Sequence, residues 1–397
     1  MRFIRTFSPV RNYHRADSAT LIYSGNDYFN TLIKLIESAQ KSIHFQIYIF
    51  EQDETGTQVI TALKQAAKRG VCIHLILDAF GSNGLSKKFI DDILNAGIQL
   101  RFFAPLFSKN ILHFGRRLHH KVVVIDDSKA LIGGINISDK YKGSLEEIPW
   151  LDYAILISGT VCLYAAKICL DIFNKKFTLK KKNKPSAIST KNDCLIRFQQ
   201  NDRLRGKNQI ASSYIHAIRN AKHSIKFVSS YFLPGRRILK ALKKAAARGV
   251  KIVVIFSGIS DVPLLGRATT HLYKSLLKEN ILIYEWKKSV LHGKLALVDN
   301  DWLTIGSFNL NHLSALGSIE LNVDVIDELV TQELSKHLLL IINTGCDKID
   351  SENYAKRNTG LTIFLNTISY YLVRSFIKGL ALFPNLFQFH RKNEPKD

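Results

Sequence analysis

The stretch LHHKVVVIDDSKALIGGINIS, residues 118–138, decides the fold of this chain. Its first polar pair, His119 and Lys121, stands two residues apart and therefore shares one face of an extended segment. The apolar run that follows predicts a buried strand ending at Asp126, and a second predicted strand runs through two glycines to Asn136. Polar residues therefore stand where an ordinary buried strand carries none.

The second half of the chain repeats this stretch as LHGKLALVDNDWLTIGSFNL, residues 291–310. Both copies read H-x-K, four residues, D, six residues and G-[GS]-x-N, so the step from histidine to asparagine is seventeen residues in each. Two such matches in one chain make coincidence a poor explanation. The second copy supplies His292, Lys294, Asp299, Ser307 and Asn309.

The regions before the two motifs also repeat. AAKRGVCIHLIL at residues 66–77 returns as AAARGVKIVVIF at residues 245–256. Alternating helical and extended patterns predict an α/β fold of two pseudo-twofold-related halves, each a mixed sheet flanked by helices. In the first half we predict helices over 27–39, 57–68 and 86–96 and strands over 43–50, 71–77 and 98–103.

Composition divides the chain into three parts. We predict a first half at 1–180 with its motif at 113–140, a second half at 194–345 with its motif at 286–313, and a tail at 346–397. Residues 174–193 are rich in lysine and indicate an exposed linker, whose lysines are either solvated or attract an anionic surface. A predicted helix over 329–342 closes the second half, and the polar residues 344–360 predict a loop.

Charge and cysteine content limit the kinds of partner and the cell compartment that fit this chain. Lys and Arg total 56 against 33 Asp and Glu, so the net charge of +23 predicts a polyanionic partner, either nucleic acid or an anionic membrane surface. The five cysteines have no C-x-x-C spacing and are interpreted as reduced core residues of a cytosolic protein. The basic N-terminus has no apolar run of signal-peptide length, so we place the catalytic body on the cytoplasmic side of the cell membrane.

Residues 361–389 are strongly apolar, yet their opening uncharged run of thirteen residues is too short to span a bilayer. Polar residues fall near helical spacing on one side of this segment, opposite an aromatic and aliphatic face. The pattern predicts a helix lying in the membrane interface. The alternative is a helix docked on the protein's own core.

The two motifs together hold what phosphodiester exchange needs without a metal. A neutral imidazole can attack phosphorus to form a phosphohistidine, while a second, protonated imidazole protonates the leaving alkoxide and then accepts a proton from the incoming alcohol. Lysines and asparagines supply positive charge and donors for the phosphoryl oxygens. Face-to-face packing of the halves would bring His119 and His292 to opposite sides of one phosphorus. A purely structural role is disfavoured because unpaired charges in a core are costly.

Four carboxylates accompany the motifs. Glu320 and Asp152 lie downstream of the motifs at the start of predicted strands, and each is a candidate to hold a histidine ring in one tautomer. Asp126 and Asp299 end the motif strands, where capping of the following turn explains them as well as direct chemistry does. No acidic or histidine cluster has metal-ligand spacing, so neither a metal nor a cofactor is expected. The candidates for phosphate binding are Asn136, Asn309 and Ser307.

The doubled motif resembles the phospholipase D superfamily, and the rest of the chain is similar to its bacterial cardiolipin synthase branch. The likeness runs from about residue 21 to residue 340 and includes YIFEQDETG at 48–56 and PWLDYAILISG at 149–159. The chain departs from the pattern at Ser318, where the family often has an asparagine, and in lacking paired N-terminal transmembrane helices. It therefore resembles the shorter form of the family.

The resemblance implies a phosphatidyltransferase that makes cardiolipin from phosphatidylglycerol and a second phospholipid. It implies His119 as the nucleophile and His292 as the acid and base. The residues it makes catalytic are His119, Lys121, Asp126, His292, Lys294 and Asp299. The expected partners are anionic phospholipids and a membrane surface, with the enzyme peripheral on the membrane and active as a monomer.

An apolar loop followed by Arg116 and Arg117 leads directly into His119. It predicts an entrance for acyl chains, formed in part by Phe107 and Phe114, with arginines that face the phosphate. The alternative is a packed loop with two solvated arginines.

Two other activities fit the same motifs. A phospholipase D-type hydrolase would use water in place of the lipid alcohol, because the two compete for one phosphohistidine. A nuclease of the same superfamily fits the net charge of +23, but the chain contains no recognisable nucleic-acid-binding module.

Overall fold

The computed structural model describes residues 12–105, 107–108, 111–112, 116–175, 193–202, 206–310 and 317–382. Strands and helices alternate through the first part of the chain, as predicted. The elements are β1 (His14–Ala16), β2 (Ser18–Tyr23), α1 (Asn26–Ser38), β3 (Ser42–Ile47), α2 (Glu54–Lys68), β4 (Cys72–Asp78), α3 (Lys87–Asn95), β5 (Gln99–Phe103), β6 (Phe107–Ser108), β7 (Ile111–Leu112), β8 (Arg117–Leu118), β9 (Lys121–Ile125), β10 (Lys129–Gly133), α4 (Asp139–Lys142), β11 (Tyr153–Ser158) and α5 (Cys162–Phe173).

The second part of the chain repeats this order and adds a helical C-terminus. Its elements are β12 (Cys194–Asp202), β13 (Lys207–Asn208), α6 (Gln209–Asn220), β14 (Ser224–Ser229), α7 (Arg236–Ala247), β15 (Lys251–Ser257), α8 (Pro263–Thr270), α9 (Tyr273–Leu277), β16 (Leu282–Trp286), β17 (Lys294–Val298), β18 (Trp302–Gly306), β19 (Ser318–Ile326), α10 (Glu328–Gly345), β20 (Cys346–Ile349), α11 (Ser351–Arg357) and α12 (Gly360–Leu382).

The two large sheets have matching topology. One has the strand order β2-β11-β10-β9-β3-β4-β5, and the other contains β12-β19-β18-β17-β14-β15-β16 in the corresponding places. In both sheets the last three strands named are parallel to one another. The other neighbours are antiparallel in both. The sequence repeat is therefore a repeat of topology, and the predicted class of two mixed α/β halves is confirmed.

A repeated arginine explains why one segment of sequence is so similar in the two halves. Arg69 follows α2 and donates to the carbonyls of Ile36 and Ala39, at the C-terminal end of α1. Arg248 follows α7 and donates to the carbonyls of Ile218 and Ala221, at the end of α6. Each guanidinium satisfies carbonyls that a helix end leaves unpaired and places positive charge at its negative pole.

The two halves share one interior and exchange strands. A buried apolar cluster contains strand residues of both sheets, among them Val122 and Ile155 of the first and Leu295 and Val323 of the second. β1 pairs with β12, and β8 pairs with β19, so residues of the first half complete the second sheet. The predicted bounds of the first half, 1–180, stay a prediction. Most of the predicted linker, residues 176–192, lies outside the described residues.

The region after α10 differs from its prediction. The loop predicted over 344–360 contains β20, which adds an edge to the second sheet beside β16, and the short helix α11. The second half therefore continues past the predicted boundary at residue 345. α12 confirms the predicted helix over its described length and packs along α8. Among the described residues, none of the helices has both the length and the apolar character required to cross a bilayer.

The cysteines only partly match the prediction of core residues. All five are free thiols, and Cys162, Cys169 and Cys194 are buried. Cys72 is exposed because it occupies the first position of β4, where the strand emerges at the end of the sheet. Cys346 is half-buried at the start of β20.

Candidate active site

The two motifs meet between the two sheets. β9 and β17 begin at the motif lysines, so the motif histidines lie just before these strands. The backbone N–H of His119 donates to the carbonyl of Ile319 at 2.9 Å, and the N–H of His292 donates to the carbonyl of Leu151 at 2.8 Å. Each histidine is thus tied by its backbone to the opposite half of the chain, and this places both at one interface.

Each histidine ring is also held by a carboxylate of the opposite half. Nδ1 of His119 lies 2.9 Å from Oε2 of Glu320, and Nδ1 of His292 lies 2.6 Å from Oδ2 of Asp152. Both carboxylates are fully buried. A carboxylate accepts a hydrogen bond, so each ring carries its proton on Nδ1 and leaves the lone pair of Nε2 available for chemistry. Neither half contains a complete histidine and carboxylate pair on its own.

Burial determines the protonation of both histidines. Desolvation lowers the pKa of His119, with Glu320 opposing the shift and the lysine charges adding to it. Desolvation and the charges of Lys294 and Lys121 lower the pKa of His292 well below 6.5. Burial raises the pKa of Asp152 to about 6, which still leaves this carboxyl ionised at neutral pH. Both histidines are therefore neutral, and each donates a hydrogen bond from Nδ1 to a carboxylate.

The two motif lysines are almost completely buried beside the histidines, each with 2% of its surface exposed. Lys121 donates to the carbonyl of His119 at 3.0 Å, and Lys294 donates to the carbonyl of His292. Desolvation and the opposing lysine lower the pKa of Lys121 to about 7, and desolvation lowers that of Lys294 to about 8. Two confined cations at one site fit an anionic ligand, whose charge would restore the protonated state of both.

Three aromatic residues, not predicted from the sequence, also contact the histidines. The ring of Tyr48 lies 4.7 Å from that of His119. The hydroxyl of Tyr141 lies 3.2 Å from Nδ1 of His292, and the ring of Trp150 lies 6.1 Å from the same imidazole. Tyr48 and Trp150 stand in the two stretches quoted above for their family resemblance, so a signal for them existed. Tyr141 carries no such signal because it comes from the short helix α4.

The motif aspartates lie away from the histidines and bind backbone. Asp126 follows the far end of β9, and its carboxylate accepts the backbone N–H groups of residues 40–42 at 2.7–2.9 Å. Asp299 does the same for residues 222–224 at 2.7–2.8 Å. Both join a motif strand to the entry of its neighbouring strand, and these contacts are neither direct chemistry nor a cap of the turn into the glycines, the two roles considered for them. In the described part of the chain, no three His, Cys, Asp or Glu side chains form a group that could hold a metal ion.

The three predicted phosphate ligands differ in the hydrogen-bonding groups that they have available for a ligand. Ser307 donates its hydroxyl hydrogen bond to Oε2 of Glu320 at 2.5 Å, so its role is to position that carboxylate. Asn136 is buried and donates to the hydroxyl of Tyr141 at 2.8 Å, which connects it to the site through that tyrosine. Oδ1 of Asn309 is buried without a hydrogen-bond partner among the described residues. Asn309 therefore retains hydrogen-bonding capacity for a ligand.

The predicted entrance is corrected at its two arginines. Arg116 donates to Asp202 at 2.7 Å. Arg117 donates to the carbonyl of Ala104 at 2.9 Å and lies 3.7 Å from the buried carboxylate of Asp78. Both guanidinium groups have protein carboxylates as partners, so they are neither phosphate-facing nor simply solvated. The side chains of Phe107 and Phe114, which were expected to form this entrance, lie outside the described residues.

Comparison with known proteins identifies the family. Residues 32–153 and 214–341 match the family described as cardiolipin synthase, PLD-like domain, so each half contains one match. Cardiolipin synthase B of Escherichia coli strain K12 is 30% identical over 372 residues, which cover 92% of this chain and 90% of that protein. A cardiolipin synthase of Clostridium perfringens is 30% identical over 359 residues, covering 87% of this chain and 74% of the relative.

Solved structures support the fold. The phosphatidylserine synthase of Haemophilus influenzae superposes with a TM-score of 0.73 at 13% identity, covering 94% of this chain and 96% of that one. The polyphosphate kinase of Porphyromonas gingivalis gives a TM-score of 0.58 at 15% identity, covering 92% of this chain and 54% of the kinase. Because the family match includes more than half of the residues and both halves carry its motif, the chain belongs to the cardiolipin synthase family of phosphatidyltransferases within the phospholipase D superfamily.

Proposed function

We propose that the chain makes cardiolipin by moving the phosphatidyl group of phosphatidylglycerol to the hydroxyl of a second phospholipid. The observation that carries the proposal is the exchanged pairing of His119 with Glu320 and of His292 with Asp152. It supplies two oriented imidazoles across one interface, with two buried lysines beside them. Transfer of a phosphoryl group needs this set of a nucleophile, an acid and base, and fixed positive charge.

In the first step, Nε2 of His119 attacks the phosphorus of the donor lipid. A P–N bond forms, the P–O bond to the glycerol headgroup breaks, and protonated His292 gives its proton to the departing glycerol oxygen. Nε2 of His119 has no hydrogen-bond partner among the described residues, whereas Nε2 of His292 lies 3.1 Å from Nζ of Lys294. This difference supports His119 as the nucleophile and His292 as the acid and base.

His292 acquires its proton when the substrate binds. The phosphodiester carries one negative charge, and a nearby anion raises the pKa of an imidazole. Nζ of Lys294 lies 3.1 Å from Nε2 of His292 and is kept protonated by the same anion, so His292 takes up its proton from solvent. Substrate binding therefore converts a site with two neutral histidines into one with a proton available for the leaving group.

In the second step, the hydroxyl of the acceptor lipid gives its proton to His292 and attacks the phosphorus. The P–N bond to His119 breaks, which restores the free enzyme and releases cardiolipin. Water in place of the lipid hydroxyl would give phosphatidic acid by the same steps. Glutamate and aspartate partners keep both rings in the orientation that the two steps need.

The test is incubation of purified protein with phosphatidylglycerol vesicles in the presence of a chelator, followed by mass spectrometry of the lipids. Cardiolipin together with free glycerol supports the proposal, and the yield should not change when a divalent ion is added. Phosphatidic acid as the main product would replace it with a hydrolase. A parallel incubation with single-stranded DNA tests the nuclease suggested by the charge of +23, and DNA cleavage without lipid turnover would overturn the proposal.

The location of the protein follows from the same proposal. Its substrates are anionic phospholipids, so the enzyme works at a membrane surface, and we place it peripherally on the cytoplasmic side. Each monomer contributes both histidines and both carboxylates from one chain, so a single copy is sufficient for activity. Sedimentation velocity combined with turnover measurements on the same sample tests this point, because activity confined to a dimer peak would contradict it.

A further inference from the structure

α12 docks on the body of the protein by a side that is mostly polar and also places Tyr370 and Val373 in a buried apolar cluster. Asn366 and Ser369 are buried, each with 4% of its surface exposed. The ring of Tyr370 stacks on that of His271 with centroids 4.4 Å apart, and the hydroxyl of Thr367 lies 3.2 Å from Nδ1 of the same histidine. The contact surface of this helix therefore includes hydrogen-bonding residues as well as an aromatic ring.

The opposite side of α12 is apolar and exposed. Leu361, Phe364, Leu372 and Phe376 are exposed over 69%, 59%, 57% and 64% of their surface, and Ile368 is exposed between them. The stripe extends along the helix for about 22 Å, given 1.5 Å per residue. A helix that docks in water turns its apolar side toward the core. The reverse orientation leaves an apolar stripe that no described part of this chain covers.

A loop at the active site carries further exposed apolar side chains. Leu145 is fully exposed and Ile148 is largely exposed, in the segment between α4 and β11. This segment leads into Trp150, whose ring lies 6.1 Å from that of His292. The apolar side chains therefore stand within a few residues of the catalytic centre.

A second loop connects the site with α12. Ile259 and Val262 are exposed, and between them Asp261 accepts a hydrogen bond from the hydroxyl of Tyr231. The loop begins at Ser257, whose hydroxyl accepts the backbone N–H of Leu291 at 2.9 Å, and this contact places it next to His292. Val262 is the N-cap of α8, and α8 packs along α12. Exposed apolar side chains thus continue from the site to the C-terminal helix.

We propose that the outward side of α12 and these two loops form one docking face for a bilayer that contains anionic phospholipid. The face surrounds the approach to His292, so a lipid could reach the phosphoryl site without leaving the membrane. This inference rests on the proposed function, because it explains how a substrate with two acyl chains meets a buried site. In this arrangement the buried side of α12 fixes the helix to the enzyme, and the outward side contacts the lipid.

Charge favours a lipid surface over a second copy of the chain as the occupant. Neither α8 nor α12 contains an acidic residue, and both carry basic ones, among them Arg267 and Arg374. The acidic residues of the face, Glu146, Glu147 and Asp261, are confined to the two loops. Two copies meeting through this face would bring like charges together, and each copy carries +23 overall. An anionic bilayer instead offers an apolar layer below a negative surface, which complements the apolar stripe and its basic surroundings.

The test compares the binding of full-length variants to phosphatidylcholine vesicles with and without phosphatidylserine, measured by co-sedimentation. Phe364→Glu combined with Leu372→Glu should weaken binding at least about tenfold, because two apolar side chains no longer enter the acyl region. Leu145→Glu should weaken it by about threefold to tenfold. Leu329→Glu is the matched control, because Leu329 is 79% exposed at the start of α10, about 20 Å along β19 from Glu320.

Tryptophan substitutions give a second measurement that preserves the apolar character. Fluorescence of Phe364→Trp should be quenched by vesicles of brominated lipid, and that of Leu329→Trp should not. Equal binding or equal quenching for the α12 and Leu329 variants would overturn the proposal. So would a wild-type dimer in lipid-free buffer that Phe364→Glu with Leu372→Glu converts to monomer. Binding is measured without turnover, so vesicle binding that depends on these residues in a protein inactive on lipid would refute only the proposed function.

Discussion

Substitution of Lys121 by methionine tests whether this motif lysine is a buried charge that lowers stability. Lys121 is 2% exposed, and burial together with Lys294 lowers its pKa from 10.5 to about 7. A shift of this size corresponds to about 5 kcal/mol, since one pKa unit is about 1.4 kcal/mol. The charged side chain therefore destabilises the folded protein by roughly that amount at acidic pH. Methionine has a similar volume and removes the charge.

The destabilisation depends on pH because the folded and unfolded chains release the proton in different ranges. Below about pH 7 Lys121 is charged in both states and the full effect applies, whereas above about pH 10.5 it is neutral in both and the effect vanishes. At pH 9 only the unfolded chain is still protonated, which leaves about 2 kcal/mol. The hydrogen bond to the carbonyl of His119 contributes about 1 kcal/mol in the other direction. The variant should therefore be more stable by about 4 kcal/mol at pH 6 and by about 1 kcal/mol at pH 9.

Urea unfolding of both proteins at pH 6 and pH 9 measures these differences. Lys68→Met, on the exposed side of α2, controls for the loss of one positive charge from the chain. A gain in stability that is equal at the two pH values would refute the reasoning, because it would mean that Lys121 does not change its charge between them. The same variant should lose turnover by orders of magnitude, since the phosphoryl oxygens lose a fixed cation.

The effects of removing the two histidines should not add. His119→Ala and His292→Ala should each lower turnover by several orders of magnitude, and turnover of the double variant should be no lower than that of either single variant. More than a tenth of the activity in either single variant would contradict a composite site. Because the pKa values of Lys121 and Lys294 are about 7 and about 8, kcat/KM should fall in two steps above these pH values, and Lys294→Arg should remove the upper step because arginine stays charged; an upper step that persists in this variant would exclude Lys294 as its titrating group. Gly134→Ser should lower turnover at least about a hundredfold with the fold intact by circular dichroism, because its Cβ would lie 2.3 Å from Oδ1 of Asp152.

The fold was predictable because the signals for it are local and occur twice. The predicted helices and strands of the first half agree with α1 to α3 and β3 to β5 within a few residues at each end. β20 and α11 escaped prediction because they are short and polar, and β20 is an edge strand that its neighbour β16 stabilises. The pairing of β1 with β12 was likewise invisible, since nothing in either segment indicates its partner.

Candidate site residues could be selected from the sequence where a residue type is hard to explain by packing. The histidines and lysines of both motifs stand in this class, because a buried strand has no use for them. Arg116 and Arg117 were misassigned because their partners, Asp202 and Asp78, lie far away in the sequence. The direction in which α12 packs could not be predicted either, because an amphipathic pattern shows two faces without showing which one meets the protein.

The duplicated halves are no longer equivalent at the positions that support the motifs. Asp78 accepts the backbone N–H of Leu118 at 2.8 Å, and Ser257 accepts that of Leu291 at 2.9 Å, so the two occupy corresponding places. The first is a carboxylate, and Arg117 lies 3.7 Å from it. The second is a hydroxyl with no charge to balance. The residue before the first motif is therefore held by a carboxylate that is part of an ion pair, whereas the residue before the second motif is held by an uncharged hydroxyl.

The same divergence separates the two carboxylates that hold the histidines. Ser307 donates a hydroxyl proton to Glu320, but its counterpart in the first motif is Gly134, where a side chain would collide with Asp152. Asp152 lacks that hydroxyl and instead lies 3.9 Å from Nζ of Lys294. One histidine thus faces a carboxylate that accepts from a neutral donor, and the other shares its carboxylate with a cation. The two motifs therefore keep matching positions, while glycine in one and serine in the other give the two histidines unequal surroundings.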